Sequence, residues 1–302
     1  MVEKVYSSTV HPTVISCSRR TDFANYMDKI VTALHTGGIE VPNPRNRKMS
    51  YVAFDKTQVW AWWSKDYLPW LTSYLAYPML FEKYPVHLFN YTITGLDNDM
   101  ENIVVPLEGR FLQLEALKEL GTVVVRYDPI VKCLVNRRNE LPFLRTNQDF
   151  HEELFHRMAQ VGVQNVVFSF CTYYPSVKRR MIKQGFTPLE YSASEKQCVV
   201  KKLIQCAKHY DIRLRVCCNP DIVEMGVKSS SCIDGELINQ MLLKKQLPEL
   251  KITKDHGQRE HCGCISSRDI GSYDWKCKHN CVYCYANPDT SVGRVNLQEE
   301  LF

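Results

Sequence analysis

Short apolar runs alternate along the chain with longer segments of helical periodicity, the first pattern suiting buried strands and the second amphipathic helices. Thr13 to Cys17 predicts a first strand, which breaks into the polar Ser18-Arg19-Arg20-Thr21-Asp22; a helix from Tyr26 to His35 follows, closed by Gly37-Gly38. Gln58 to Trp63 predicts a second strand, ending in Ser64-Lys65-Asp66. Val86 to Thr92 predicts a third, followed by a helix from about Leu107 to Leu120 with Gly121 at its C-cap. Thr122 to Tyr127 is the fourth. A helix from about Asn147 to Val161 leads to the strand Asn165–Phe170, and one from Ser194 to Tyr210 leads to the strand Ile212–Cys217. A last helix is expected over Ile233 to Leu243.

Six strand–helix units with no antiparallel hairpins between them predict an α/β fold with a parallel sheet. Over residues 1–245 we expect a partial (β/α)6 TIM-like barrel, with an open doubly wound sheet as the alternative. Residues 246–302 are loop-rich and too poor in apolar periodicity to bury a core of their own. They are expected to form a cysteine-rich lobe, held together by a metal or cluster and folded back over the barrel mouth. Either architecture places a ligand at the C-terminal strand ends, where Arg19, Arg20, Asp22, Lys65, Thr92, Thr94, Arg126, Asp128, Ser169, Cys218 and Asn219 fall. Arg126 either presents its fork to the mouth or is braced by Asp128, as Arg20 would be by Asp22.

Composition adds little until the cysteines are counted. With 302 residues, 45% hydrophobic and 24% charged, and a formal charge of +5, the chain is ordinary globular material without a concentrated basic patch. No apolar run approaches the roughly 20 residues of a membrane span, and Met1-Val2-Glu3-Lys4 lacks a signal peptide's apolar core, so a cytoplasmic location is expected. Its 13 cysteines are then reduced thiols, to be read as core fillers, metal ligands or reactive groups. Cys133, Cys171, Cys198 and Cys206 lie in apolar or helical surroundings that suit packing. Trp60, Trp62, Trp63, Trp70, Tyr67 and Tyr74 read as core rather than as platforms for bases. Lys178-Arg179-Arg180 and Lys244-Lys245 read as solvated faces, and His261 and His279 complete no standard ligand spacing.

Cys277, Cys281 and Cys284 are different, because three thiolates in so short a loop can take three corners of a cubane cluster and leave one iron open. Cys218, Cys232, Cys262 and Cys264 are four more thiols that can close a second centre, either an auxiliary [4Fe-4S] cluster or a structural zinc; the alternative is ordinary thiols.

The CxxxCxxC spacing of Cys277, Cys281 and Cys284, with Tyr283 before the last cysteine, resembles the radical S-adenosylmethionine (SAM) enzymes. The resemblance implies a [4Fe-4S] cluster whose free iron binds SAM, cleavage of SAM to a 5′-deoxyadenosyl radical, and an electron donor such as flavodoxin or ferredoxin. With SAM held at the strand ends, the candidates to contact it are Lys65, Arg19, Arg126 and Tyr283, with Lys65 the candidate for the SAM carboxylate. A narrower resemblance, through Ile15 to Asp22, Arg126 to Ile130, Ser231 to Asp234 and Cys262 to Ala286, is to a bacterial family of unknown function. Here the cluster loop follows the sixth strand instead of the first, and Trp62-Trp63-Ser64-Lys65 stands where a glycine-rich SAM contact is usual. In an open barrel the first and last strands are both edges, so a tail leaving the sixth can reach the first. The substrate is left open: a nucleic-acid lesion, as for spore photoproduct lyase, a peptide or a small metabolite. The alternative function is a zinc-binding, nucleic-acid-associated, non-enzymatic protein on a barrel scaffold.

Overall fold

The predicted strands are nearly continuous apolar runs because the sheet they form is covered on both faces. The computed structural model describes residues 8–44, 46–96, 100–102 and 105–286. In it β1 (Val14–Cys17), β2 (Val59–Ser64), β3 (Val86–Thr92), β4 (Thr122–Ile130), β5 (Asn165–Phe170) and β6 (Arg213–Cys217) lie side by side in chain order. All five pairings are parallel. Two short strands extend the edges to make an eight-stranded sheet: β7 (Lys228–Ser230) beside β6, and β8 (Arg268–Asp269) beside β1. The order never reverses, as a doubly wound sheet would require.

Two expectations need correction. The connections do contain antiparallel pairings: Gly38–Pro42 with Met49–Ala53, and Lys132–Val135 with both Phe143–Thr146 and Phe186–Pro188. These strands are short and mix polar with apolar residues, so their periodicity does not separate from that of loops. The helix expected from Asn147 begins at His151. Asn147 instead serves the turn before it, taking Val131 N–H at 2.8 Å and donating to Thr94 O at 2.8 Å.

Five helices, α1 (Met27–Thr36), α2 (Leu68–Ala76), α3 (Leu107–Leu120), α4 (His151–Val161) and α5 (Ala193–His209), each touch the next in one layer. Their apolar stripes, including Ile30, Leu34, Trp70, Leu114, Leu154 and Leu203, meet the sheet residues Ile15, Trp60, Trp62, Phe89, Tyr91, Val125 and Phe168. Side chains of the opposite parity, Val14, Ala61, Leu88, Val124, Val167 and Cys217, face away from this layer. They are covered by Ile238, Met241 and Leu242 of α6 (Gly235–Lys244) and by Cys262, Cys264 and Ile265 of the tail. Trp60, Trp62, Trp70 and Tyr67 are fully buried, with Trp60 and Trp62 stacked at 4.8 Å; they are core. Among the described residues, no helix is long and apolar enough to cross a membrane.

One histidine makes this core sensitive to acid. His87 stacks on Trp62 and Phe89, its Nδ1 accepting from Trp62 Nε1 at 2.9 Å and its Nε2–H donating to Phe81 O at 3.1 Å. Accepting at Nδ1 demands the neutral ring, whereas the Nε2–H bond would survive protonation. Burial, with a smaller push from Lys245, lowers its pKa from 6.5 to about 4, although the bond to Phe81 works the other way. Between those values the unfolded chain binds a proton that the native state refuses, so stability is present above pH 6.5 and is lost as pH falls toward 4. Urea denaturation should show roughly 2 kcal/mol lost between pH 7 and pH 5 at this site, and His87→Gln should flatten that slope. Equal slopes in the two proteins would refute the assignment.

Candidate functional site

A cavity of about 250 Å³ opens at the C-terminal strand ends. Ser18 to Asp22 after β1, Ser64 and Lys65 at β2, Asp128 in β4, Ser169 in β5 and Cys217 to Asn219 at β6 contribute to its wall. Cys277, Cys281, Tyr283 and Cys284 close the other side. The tail reaches this place through β8. There the Asp269 carboxylate accepts from Ser16 Oγ at 3.2 Å, Ser18 Oγ at 2.9 Å, Arg19 N at 2.8 Å and Gly271 N at 3.0 Å. A Cβ at position 271 would run into Ser18, so only glycine lets the tail approach this closely. Further on, Tyr26 stacks on Trp275 at 4.8 Å and donates to Lys276 O at 2.8 Å. The cysteine loop then docks by backbone bonds, Asn102 N to His279 O at 2.7 Å and Val282 N to Met100 O at 3.0 Å.

Two buried polar groups frame the loop. Lys65 Nζ lies 3.0 Å from Glu101, which also accepts from Thr94 Oγ1 at 2.6 Å and from Tyr283 Oη. Burial alone would raise the Glu101 carboxyl; Lys65, Thr94 and Tyr283 outweigh it and hold it below the usual range. Asp22 pairs with His279 at 2.9 Å and accepts from Ser64 Oγ at 2.6 Å and Lys65 N at 2.9 Å. The thiols themselves are disfavoured as thiolates. Burial, helped by Asp22 and Cys284, pushes Cys277 up to about 12, and burial pushes Cys281 well up despite Lys65. A bound cation or cluster would favour the thiolates by replacing those protons.

Of the residues expected to contact SAM, Arg19, Lys65 and Tyr283 line the cavity. Arg126 does not: it is 1% exposed, its guanidinium sits 5.0 Å from the Trp63 ring, and it pairs with Asp128. Its parity on β4 points it at the inner face, where Trp63 covers it. The Arg20–Asp22 brace is also replaced, because Arg20 lies 3.9 Å from Asp269 and donates to Gly271 O at 3.0 Å while Asp22 turns to His279. Lys65 already has a carboxylate partner. Arg19 is paired with Asp255 at 3.2 Å but keeps a buried Nη1 with no hydrogen-bond partner.

The other cysteines divide. Cys133 is buried, Cys171 lines the cavity, and Cys198 is exposed, so packing does not account for it. Cys218, Cys232, Cys262 and Cys264 come together, and Cys217 joins them. Arg180, from the run read as solvated, instead donates to Cys284 O. Glu101 was not anticipated as a site residue, nor was the pairing of the strand-end Asp22 with His279. Glu101 falls outside any periodic segment or motif, and the pairing joins residues far apart in the chain.

Among the described residues, no three or more His, Cys, Asp or Glu side chains are arranged to hold a metal ion as they stand. In chemistry and placement, three thiols of one loop on one cavity wall beside the buried Lys65 nonetheless suit an anionic iron–sulfur group. No curated protein matches the chain, and no radical SAM family does. From Val14, where β1 begins, to Ala286, just past the third loop cysteine, the chain matches the family described as "Domain of unknown function (DUF1848)", over residues 14–286, and belongs to it.

Proposed function

We propose that the chain is a radical SAM enzyme built on an open partial barrel. The observation that carries this reading is the meeting of Cys277, Cys281 and Cys284 on one wall of the cavity at the C-terminal strand ends. The barrel reading is supported by strand order that follows chain order and by helices layered in the same sequence. When bound, a [4Fe-4S] cluster and SAM would supply a 5′-deoxyadenosyl radical for hydrogen abstraction.

The chain's own residues do the rest. The three cysteines hold the cluster, and the backbone bonds at Asn102 and Val282 fix their loop. Lys65, held as a cation by its pair with Glu101, acts as a positioning residue that anchors Tyr283 through a 3.3 Å contact and places its ammonium near Cys281. Arg19 offers its unpartnered Nη1 to a carboxylate. Trp63 supplies an apolar wall, and Ser169 and Asp128 add polar groups across the cavity for a substrate.

The test is anaerobic reconstitution with iron and sulfide, followed by SAM and a chemical reductant. The expected result is a brown protein that releases 5′-deoxyadenosine. A colourless, iron-free protein, or a brown one that leaves SAM intact, would overturn the proposal.

A further inference from the structure

Away from the loop, five thiols cluster in a ring on the face of the sheet opposite the helix layer. Cys217 Sγ lies 3.7 Å from Cys218 Sγ and 3.9 Å from Cys232 Sγ. Cys218 in turn reaches Cys262, Cys262 reaches Cys264, and Cys264 reaches Cys232. They come from three separate places: the end of β6, the residue pair before the α6 cap, and the start of the tail. Two features mark the ring as built. Consecutive strand residues point to opposite faces, yet Cys217 and Cys218 point together because Cys218 takes a left-handed φ of 55°, a conformation unfavourable outside glycine and asparagine. Next to the ring, the buried Arg126 keeps Nε and Nη1 without a hydrogen-bond partner, with Cys232 and Cys217 alongside.

We infer that this ring is a second metal centre, which takes one thiophilic divalent cation of the zinc class through Cys218, Cys232, Cys262 and Cys264, with Cys217 between it and Arg126. Metal–sulfur bonds of about 2.3 Å in a tetrahedron put sulfurs about 3.8 Å apart. The separations of 3.7 and 3.9 Å, both measured from Cys217 to a proposed ligand, show that sulfurs here already pack at about that spacing. A four-iron cube would have to push them much further apart. As they stand, the thiols touch around a ring instead of surrounding one point, so binding draws four of them inward and releases their protons to solvent. Four thiolates on a divalent cation carry a net double negative charge, a further anion beside the guanidinium nitrogens that the Asp128 pair leaves without an acceptor. The centre would tie β6, the approach to α6 and the tail into one body, the closure that a lobe without its own core requires.

The inference is independent of the SAM reading, and the experiment separates them. In protein expressed with zinc and purified, metal analysis should find about one zinc per chain. The Cys277→Ala/Cys281→Ala/Cys284→Ala variant should keep it, and Cys262→Ser/Cys264→Ser should lose it. Because that double variant can fail to fold, the wild-type protein is also alkylated with and without a strong chelator. Cys218, Cys232, Cys262 and Cys264 should be protected until chelator is added. Absence of zinc from wild-type protein, iron–sulfur absorption persisting in the loop variant, or labelling of the four cysteines indifferent to chelator would each overturn the inference.

Discussion

Replacing Cys277, Cys281 and Cys284 together with alanine is expected to abolish iron uptake at the loop and reduce 5′-deoxyadenosine formation to the uncatalysed background, with the fold retained. The loss should be complete, because the reactive chemistry belongs to the bound group, and Cys171, the thiol that packs beside Cys284, cannot replace three ligands. The fold should survive because the loop is anchored by main-chain bonds to residues 100 and 102 that alanine leaves intact. Cys277 and Cys284 keep partial exposure, so the fully buried Cys281 leaves the main void, at a cost of about 1 kcal/mol. Circular dichroism and thermal melting should therefore match the unreconstituted wild type. Residual deoxyadenosine above background would place the chemistry elsewhere.

Asp269→Ala should be the most damaging single substitution for stability. Its carboxylate is buried, takes four hydrogen bonds between 2.8 and 3.2 Å, and lies 3.8 Å from Arg19 and 3.9 Å from Arg20. Alanine leaves two partly buried guanidinium groups short of an anion and two main-chain N–H groups, those of Arg19 and Gly271, without their acceptor. Breaking such a buried network costs about 3–5 kcal/mol. For a chain of this size that is a fall in melting temperature of roughly 5–8 °C. Asp269 also joins β8 to β1, so the damage should concentrate in the tail, and limited proteolysis should cut first between residues 246 and 276. Asp269→Asn, which keeps an acceptor, should sit between the two. A midpoint within about 1 kcal/mol of wild type, with an unchanged cleavage pattern, would show that the tail docks by other contacts.

These expectations mix information of two kinds. Strands such as Val86–Thr92 and Asn165–Phe170, and the helix Leu107–Leu120, were legible residue by residue, because a strand buried on both faces needs an unbroken apolar run. β7 and β8 were not, since Lys228-Ser229-Ser230 and Arg268-Asp269 are polar and too short to show a period. Their pairing comes from the elements that bring them to an edge. The cysteine loop was legible as a unit because its ligands are neighbours in the chain, so spacing alone restricts what they can hold.

The remaining chemistry depends on residues far apart in sequence. Arg126 had two equal readings until the parity of β4 and the cover of Trp63 settled them in favour of the Asp128 pair. Lys65 was recognisable as a cation at a strand end, but its partner Glu101 lies beyond the next strand. Cys217 entered the thiol ring only through the left-handed turn at Cys218. By itself the sequence determined the parallel strand–helix alternation and the three-cysteine loop, because local periodicity and ligand spacing are properties of a short stretch of chain. Only the tertiary structure decided which charges are already paired and which thiols meet, because those depend on the direction each side chain takes once distant segments are packed together.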